Sequence, residues 1–235
     1  MIVLKEVFMD SILEVENLKV ILGREVILDN LSFKIERGDI LAILGPNGAG
    51  KTVLLKTLLG TLPFSGKINW KPEIRKSYVP QRLPFIKDVP MSVKEFFKLK
   101  NVSDVAIKET LRSVGLGEEA MVKNVGDLSS GQFQRVLIGW SLISNPQVLL
   151  FDEPTTGIDI GGQESVYSLL EKLSKERNLT ILLVTHDLAI VHKLATKCLC
   201  LNKKISCYGS PKEMDVGQLS QLYGGEIKIF KHSHD

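Results

Sequence analysis

The sequence lacks long hydrophobic runs. No apolar stretch among its 235 residues approaches the roughly 20 residues that a helix needs to cross a bilayer. The apolar start, residues 1–5, is too short for the core of a secretory signal. We therefore expect another chain to supply the span if this protein works at a membrane.

The sequence also lacks a large excess of either sign of charge. The 30 Lys and Arg and 27 Asp and Glu residues give a net charge of +3, and no block of five or more positive charges occurs. A strongly nucleic-acid-binding surface is therefore not indicated, and we expect no nucleic-acid partner. With 44% hydrophobic and 24% charged residues, the chain is typical of one large globular domain, or of one domain with an inserted lobe.

Cysteine is limited to Cys198, Cys200 and Cys207. An odd count without a secretory signal favours a reducing compartment. Cys198 and Cys200 alternate in an apolar run typical of a strand, so they are predicted to share one face. We expect them to be small buried hydrophobes and not metal ligands.

Buried strands and amphipathic helices alternate along much of the chain. Residues 12–35 predict short strands separated by turns at Gly23-Arg24 and Asp29-Asn30. Continuous apolar runs then predict strands that are buried on both faces, and helical patterns follow them. This order indicates a largely parallel sheet with helices on both sides. The runs are residues 40–44, 148–151 and 181–184.

The middle of the chain is helical. Ser92 and Glu95 form a predicted capping box, and a second helix is predicted over residues 103–114, where Gly115 stops it. We therefore predict one domain over residues 12–235. Its core is 12–83 and 136–235, and a small helical lobe covers about 84–135.

A glycine-rich segment carries the first chemical motif. It fits G-x-x-x-x-G-K-[ST] and lies between a predicted strand and a predicted helix, which disfavours an ordinary glycine-rich turn. Its backbone N–H groups would cradle phosphates, Lys51 would reach the β- and γ-phosphates, and the Thr52 hydroxyl would ligate Mg²⁺. The predicted nucleotide-binding residues are Gly45, Pro46, Asn47, Gly48, Ala49, Gly50, Lys51, Thr52 and Val53.

Two adjacent carboxylates form the second motif. The apolar run 148–151 delivers Asp152 and Glu153 at the carboxyl end of a strand, where ligands bind in open α/β sheets. We expect Asp152 to hold Mg²⁺ and Glu153 to polarise the attacking water. Taken alone, an acidic turn before Pro154 would be the simpler interpretation, and the glycine-rich motif favours the functional one.

A third segment decides the subclass. Leu128-Ser129-Ser130-Gly131-Gln132-Phe133-Gln134-Arg135 resembles the signature sequence of ABC ATPases, although Ser130 stands where glycine is usual. Ser129 and Gln132 also form a capping box, so by itself the segment is equally typical of an ordinary capped helix.

Three further segments, in family order, complete the resemblance. Residues 78–81 resemble the loop whose glutamine, Gln81, links Mg²⁺ and water to the helical lobe. Residues 154–159 resemble the loop that contacts the opposite cassette. His186 matches the switch histidine that senses the γ-phosphate, although a lone histidine after a strand is more often structural. The resemblance covers residues 12–225.

The resemblance implies an α/β P-loop cassette with a parallel-sheet core, an antiparallel β portion and an inserted helical lobe. It implies ATP and Mg²⁺ as cofactors, and catalytic roles for Lys51, Gln81, Glu153 and His186. Two identical cassettes would pair head to tail, so that Ser129, Gly131 and Gln132 of one contact the nucleotide on the other. One departure is that Ile21 and Leu22 stand where an aromatic ring usually lies under adenine.

Several segments are similar to the branch that imports zinc, manganese or iron: residues 78–85, 88–93, 200–204, 208–211 and 222–225. This similarity implies membrane permease subunits, an extracytoplasmic metal-binding protein and a peripheral position on the cytoplasmic face of the membrane. The permease would dock near Gln81, on residues 82–91, where Phe85 and Ile86 either anchor it or pack inside the lobe. The tail histidines, His232 and His234, are more typical of a polar terminus than of a metal site.

Three other functions stay open, and one of them is the same subunit in an ABC importer of another substrate. A soluble ABC ATPase in assembly or repair would need neither permease nor membrane, but the chain has no second cassette and no strongly basic surface. A P-loop kinase or GTP switch would share the glycine-rich motif, and the signature segment and His186 disfavour it.

Overall fold

The computed structural model describes residues 11–81, 90–154, 158–214 and 217. Within them, strands and helices alternate after an initial β-hairpin. No helix in this described part combines the length and the apolarity of a bilayer crossing. The strands are β1 (Ser11–Leu22), β2 (Glu25–Glu36), β3 (Ile40–Leu44), β4 (Ser65–Trp70), β5 (Lys76–Val79), β6 (Val148–Asp152), β7 (Thr180–Val184), β8 (Lys197–Asn202) and β9 (Lys204–Gly209); the helices are α1 (Lys51–Leu58), α2 (Val93–Lys98), α3 (Asp104–Ser113), α4 (Ser130–Leu142), α5 (Ile160–Arg177) and α6 (Leu188–Leu194).

The central sheet has the order β5-β6-β7-β3-β8-β9. Its first five strands are parallel, and β9 runs antiparallel to β8. Every residue of β3, β6 and β7 is buried. The predicted parallel core is therefore confirmed, and the carboxyl ends of β5, β6, β7 and β3 meet at one edge.

The two faces of the central sheet pack against different partners. Val148 and Leu150 of β6 join a cluster with α1 and the first hairpin. Leu149 and Phe151 join a second cluster with α4, α5 and the helical middle of the chain. Because side chains alternate along a strand, one continuous apolar run serves both clusters.

The antiparallel sheet has the order β2-β1-β4. The prediction of several short strands over 12–35 is wrong, because this region forms two strands of 12 residues each. The turn at Gly23-Arg24 is confirmed, but Asp29 and Asn30 lie inside β2. Asn30 has a positive φ of 57° beside a shift of strand register, so this turn-forming pair makes a bulge and not a turn.

The described residues 90–129, which precede α4, contain two α-helices, as predicted. The Ser92–Glu95 capping box opens α2, Ser103 caps α3, and Gly115 follows α3 with a φ of 74°. Short 3-10 helices, Glu118–Val122 and Val125–Asp127, lead to α4. The division of the chain into a core and a helical lobe at residues 84–135 stays a prediction.

The cysteines depart in part from the prediction. Cys198 and Cys200 are buried in one cluster, as expected. Cys200 forms a disulfide with Cys207, which the expected reducing compartment does not favour. The two cysteines meet because β9 returns antiparallel to β8 and places Cys207 directly opposite Cys200. Burial raises the pKa of the remaining free thiol, Cys198, to about 11.

A substitution at Phe97 tests the packing of the helical segment. Phe97 is fully buried and meets Phe96 edge to face, with 6.3 Å between ring centroids. We expect Phe97→Ala to lower the free energy of unfolding by about 3–5 kcal/mol, since the lost contacts leave a cavity. Urea unfolding followed by circular dichroism measures the change. Leu99→Ala is the control, because Leu99 is exposed and should change stability by less than about 0.5 kcal/mol. Equal midpoints for the two variants would contradict the assignment of Phe97 to the core.

Candidate nucleotide-binding and hydrolysis site

The glycine-rich loop joins the end of β3 to the start of α1 and packs tightly against its neighbours. Gly45 has a φ of 154°, and a Cβ there would lie 2.1 Å from the carbonyl oxygen of Leu201. Gly50 caps α1 with a φ of 97°, and a Cβ there would lie 2.7 Å from Leu28 Cδ2. Glycine is therefore required at both positions by backbone conformation and by space.

The turn between β8 and β9 supports this loop. The Lys203 N–H donates to the Ala49 carbonyl over 3.1 Å, and the Asp29 N–H donates to the Lys203 carbonyl over 2.8 Å. The loop is thus connected by backbone hydrogen bonds to the β8–β9 turn, and through it to β2. Such bonds hold the loop in one conformation, which favours ligand binding because less ordering is needed.

Lys51 begins α1 and folds back over the loop. It is 6% exposed, and its ammonium donates to the carbonyls of Gly45 (2.8 Å) and Pro46 (3.0 Å). Burial lowers the pKa of Lys51, and the nearby charges of Glu153 and Asp152 oppose this shift. A largely buried cation therefore lies at the centre of the loop, where an anionic ligand would stabilise it.

Asp152 ends β6 and is 3% exposed. The phenol of Tyr78, on neighbouring β5, donates to Asp152 Oδ2 over 3.1 Å. Burial and the charge of Asp152 raise the pKa of Tyr78, so the phenol keeps its proton and acts as a donor.

Glu153 is the meeting point of three segments. Its Oε2 accepts from Gln81 Nε2 over 2.6 Å, and its Oε1 lies 2.6 Å from His186 Nε2. The Glu153 backbone has a φ of 48°, which is unusual for a residue with a side chain, and its N–H donates to the Val184 carbonyl over 3.1 Å. The structure thus brings together three of the four residues for which catalytic roles are predicted, Gln81, Glu153 and His186.

The loop that carries His186 is held by neighbouring side chains. The Thr185 hydroxyl accepts from the Asp187 N–H over 3.1 Å and lies 3.2 Å from the Tyr167 hydroxyl. Asp187 then caps α6 by accepting from the N–H groups of Ala189 and Ile190. These contacts restrain the chain on both sides of His186.

The glycine-rich loop and the side chains of Gln81, Glu153 and His186 line one open cleft of about 800 Å³. Two residues of β2, Glu25 and Ile27, also line it. Ile21 and Leu22, which stand where the resemblance places an aromatic ring, are 49% and 37% exposed. The lining residues are Glu25, Ile27, Asn47, Gly48, Ala49, Gly50, Lys51, Thr52, Val53, Gln81, Glu153 and His186.

The signature segment lies elsewhere. The predicted capping box is confirmed: Ser129 Oγ accepts from the Gln132 N–H, and Gln132 Oε1 accepts from the Ser129 N–H, each over 3.2 Å. Ser129 is exposed, and a Cβ at Gly131 would meet no atom within 4 Å. Ser129, Gly131 and Gln132 are absent from the lining of the cleft.

Several structural residues around the site were not predicted from the sequence. The sequence predicts Tyr78 only as part of the loop motif at residues 78–81. No local pattern predicts the contact between Tyr167 and Thr185, because these residues are 18 positions apart. Glu25 and Ile27 come from a different sheet. One feature of the sequence points to Tyr78, namely its position three residues before Gln81. The structure places Tyr78 on the strand beside that of Asp152.

Some predictions concern residues outside the described ranges. Residues 155–157 of the segment that resembles a cassette-contacting loop are among them, as are residues 82–89 of the predicted docking surface. The same holds for residues 222–225 and for His232 and His234 of the tail.

Comparison with known proteins agrees with this geometry. A family model described as ABC transporter matches residues 28–156. The zinc import ATP-binding protein ZnuC of Wigglesworthia glossinidia brevipalpis is 38% identical over 233 residues, which cover 96% of this chain and 100% of the relative. The protein of the same name from Photorhabdus laumondii subsp. laumondii is 35% identical over 234 residues, which cover 97% and 91%.

Solved structures give the same result. A metal-chelate type ABC transporter in an inward-facing conformation superimposes with a TM-score of 0.80 at 28% identity, covering 91% of this chain and 89% of that one. The protein cbiO1 of Clostridium perfringens, part of the ABC transporter complex cbiONQ, superimposes with a TM-score of 0.78 at 28% identity, covering 87% and 90%. The chain therefore belongs to the ABC transporter family and has the fold of its ATP-binding cassettes.

Proposed function

We propose that the chain is the ATP-hydrolysing subunit of an ABC importer for a divalent metal ion: zinc, manganese or iron. The observation that carries the hydrolytic part is the Glu153 carboxylate. Gln81 and His186 hold it at the edge of the cleft that also contains Lys51. The metal cargo is inferred from the zinc import relatives.

The loop would bind the phosphates of ATP. Its backbone N–H groups and the start of α1 provide donors and a favourable dipole. Lys51 would exchange its bonds to the Gly45 and Pro46 carbonyls for bonds to phosphate oxygens, so that its buried charge gains an anionic partner.

Glu153 would orient the water that attacks the γ-phosphate in line. Its carboxylate is already fixed in direction by Gln81 and His186, so little reorganisation is needed when ATP arrives. His186 would sense the γ-phosphate from the opposite side of the same carboxylate.

The residues present fit a magnesium ion. Asp152 is a buried carboxylate at the edge of the sheet, and Thr52 and Gln81 line the neighbouring cleft with a hydroxyl and an amide. Oxygen donors of these kinds are the ligands that Mg²⁺ prefers. When bound with ATP, the ion would neutralise charge that develops on the phosphates.

A second copy of the chain would complete the site. The exposed start of α4 lies outside the cleft of its own chain, and Ser129 caps it by accepting from the Gln132 N–H. In a head-to-tail dimer, Ser129, Gly131 and Gln132 would contact the nucleotide on the partner. ATP would then be the shared ligand that holds two copies together.

The remaining partners follow from the proposed transport. Permease subunits would provide the membrane crossing, an extracytoplasmic protein would deliver the metal, and this chain would lie on the cytoplasmic face of the membrane. The zinc import relatives and the metal-chelate type transporter support this assembly. The docking surface near Gln81 stays a prediction.

Lys51→Ala tests nucleotide binding. We expect it to weaken ATP binding at least about tenfold, since a charge-assisted bond to phosphate stabilises by more than about 1.4 kcal/mol. Fluorescence titration with a labelled ATP measures the affinity. The control is Lys56→Ala on the exposed side of α1, which should bind as the wild type does. Wild-type affinity in Lys51→Ala would contradict the assignment of the loop.

Glu153→Gln tests the separation of binding from hydrolysis. The amide should still accept hydrogen bonds but should not polarise water, so ATP is captured and not consumed. We expect hydrolysis to fall at least about 100-fold and dimers to accumulate on gel filtration with ATP. Glu164→Gln, an exposed change on α5, should behave as the wild type does. Only monomers in Glu153→Gln with ATP would count against the shared-nucleotide dimer.

Co-purification from native membranes tests the transport role. We expect the tagged chain, extracted in mild detergent, to bring down a multi-span permease and a metal-binding extracytoplasmic protein. Cells that lack the chain should take up less radiolabelled zinc, manganese or iron. Soluble partners alone, with unchanged metal uptake, would leave the ATPase chemistry in place and favour a function in assembly or repair.

A further inference from the structure

Tyr78 shares one face of the central sheet with Asp152. The parallel register of β5 and β6 pairs Tyr78 with Leu150, so their side chains lie on the same face. Asp152 is two residues beyond Leu150 and returns to that face. The phenol therefore leans along the strand direction and reaches Asp152 Oδ2 at the carboxyl edge of the sheet.

The ring of Tyr78 is anchored by the hydrophobic core. It packs against the cluster of buried residues that includes Leu150 and the α1 residues Leu54 and Leu55. This packing restrains the partly buried ring and therefore the position of its hydroxyl. A donor held in this way restricts the rotamers that the Asp152 carboxylate adopts.

The hydrogen bond also has an electrostatic role. Asp152 is 3% exposed, so its carboxylate oxygens depend on donors from the protein in place of water. The phenol is a neutral donor, so it binds Oδ2 without bringing a positive charge that would compete with a cation. Because Oδ2 accepts from Tyr78, Oδ1 would be the oxygen available to a cation.

We propose that Tyr78 is a positioning residue that sets how tightly the chain binds the divalent cation of its nucleotide. It acts through Asp152 and does not itself contact nucleotide or metal. The proposal rests on the proposed function, because it requires Asp152 to be a metal ligand.

Tyr78→Phe is the decisive change, since it keeps the ring that packs in the core and removes the hydroxyl. Mn²⁺ is the probe, added to the protein with a non-hydrolysable ATP analogue, and free Mn²⁺ is measured by electron paramagnetic resonance. We expect the dissociation constant of Mn²⁺ to rise about tenfold, the lower end of the effect for outer-shell partners of metal ligands. Affinity for the analogue in the presence of a chelator should not change.

Tyr208→Phe is the matched control. It removes a phenol on β9, at the edge of the central sheet opposite β5, that donates to the Lys34 carbonyl. Mn²⁺ binding should stay at the wild-type value. Asp152→Asn should weaken Mn²⁺ binding strongly, and adding Tyr78→Phe to it should have no further effect, because Tyr78 acts through the carboxylate.

Three outcomes would overturn the inference. Wild-type Mn²⁺ affinity in Tyr78→Phe would show that the hydrogen bond does not tune the site. Equal losses of Mn²⁺ binding and of analogue binding in the presence of a chelator would show that Tyr78 has only a general structural role. Failure of the wild type itself to bind Mn²⁺ with the analogue would remove the proposed metal site and this inference together.

Discussion

The parallel register of β5, β6, β7 and β3 is the constraint on which the site depends. Each of these strands ends at the same edge, and a site residue or the glycine-rich loop follows within two positions. The glycine-rich loop follows β3, Glu153 follows β6, and His186 lies just after β7. A slip of one residue in any pairing would turn a strand's side chains to the opposite face and separate these groups. Burial of both faces by two apolar clusters is what prevents such a slip.

The charged groups at this edge each have a hydrogen-bond partner. One largely buried ammonium, Lys51, faces two carboxylates, and each charged group has a hydrogen-bond partner of its own. The carbonyls of the loop hold Lys51, a phenol holds Asp152, and an amide and an imidazole hold Glu153. A polyanion with its cation would enter a site whose charges are already oriented, which is the condition for strong electrostatic stabilisation.

The sequence predicts those parts of the structure that local chemistry determines. The glycine-rich loop, both capping boxes and the buried strands depend on neighbours within a few residues, and each is where the pattern places it. Contacts between distant segments could not be predicted. The bulge at Asn30 depends on the register of β1, the Cys200–Cys207 pair depends on the return of β9, and the Tyr78 contact depends on two strands that are about 70 residues apart. Propensity alone favours a turn at Asp29-Asn30, and strand pairing overrides it.

The bonds between the β8–β9 turn and the glycine-rich loop have a consequence for synthesis on the ribosome. Lys203 is about 150 residues beyond the loop that it supports. At roughly 5–20 residues per second, the loop therefore waits on the order of ten to thirty seconds for its last backbone partner. The close contact between Gly45 and Leu201 is likewise absent until β8 has emerged. An incomplete chain thus lacks two of the contacts that shape the phosphate-binding loop, and the loop is completed only late in synthesis.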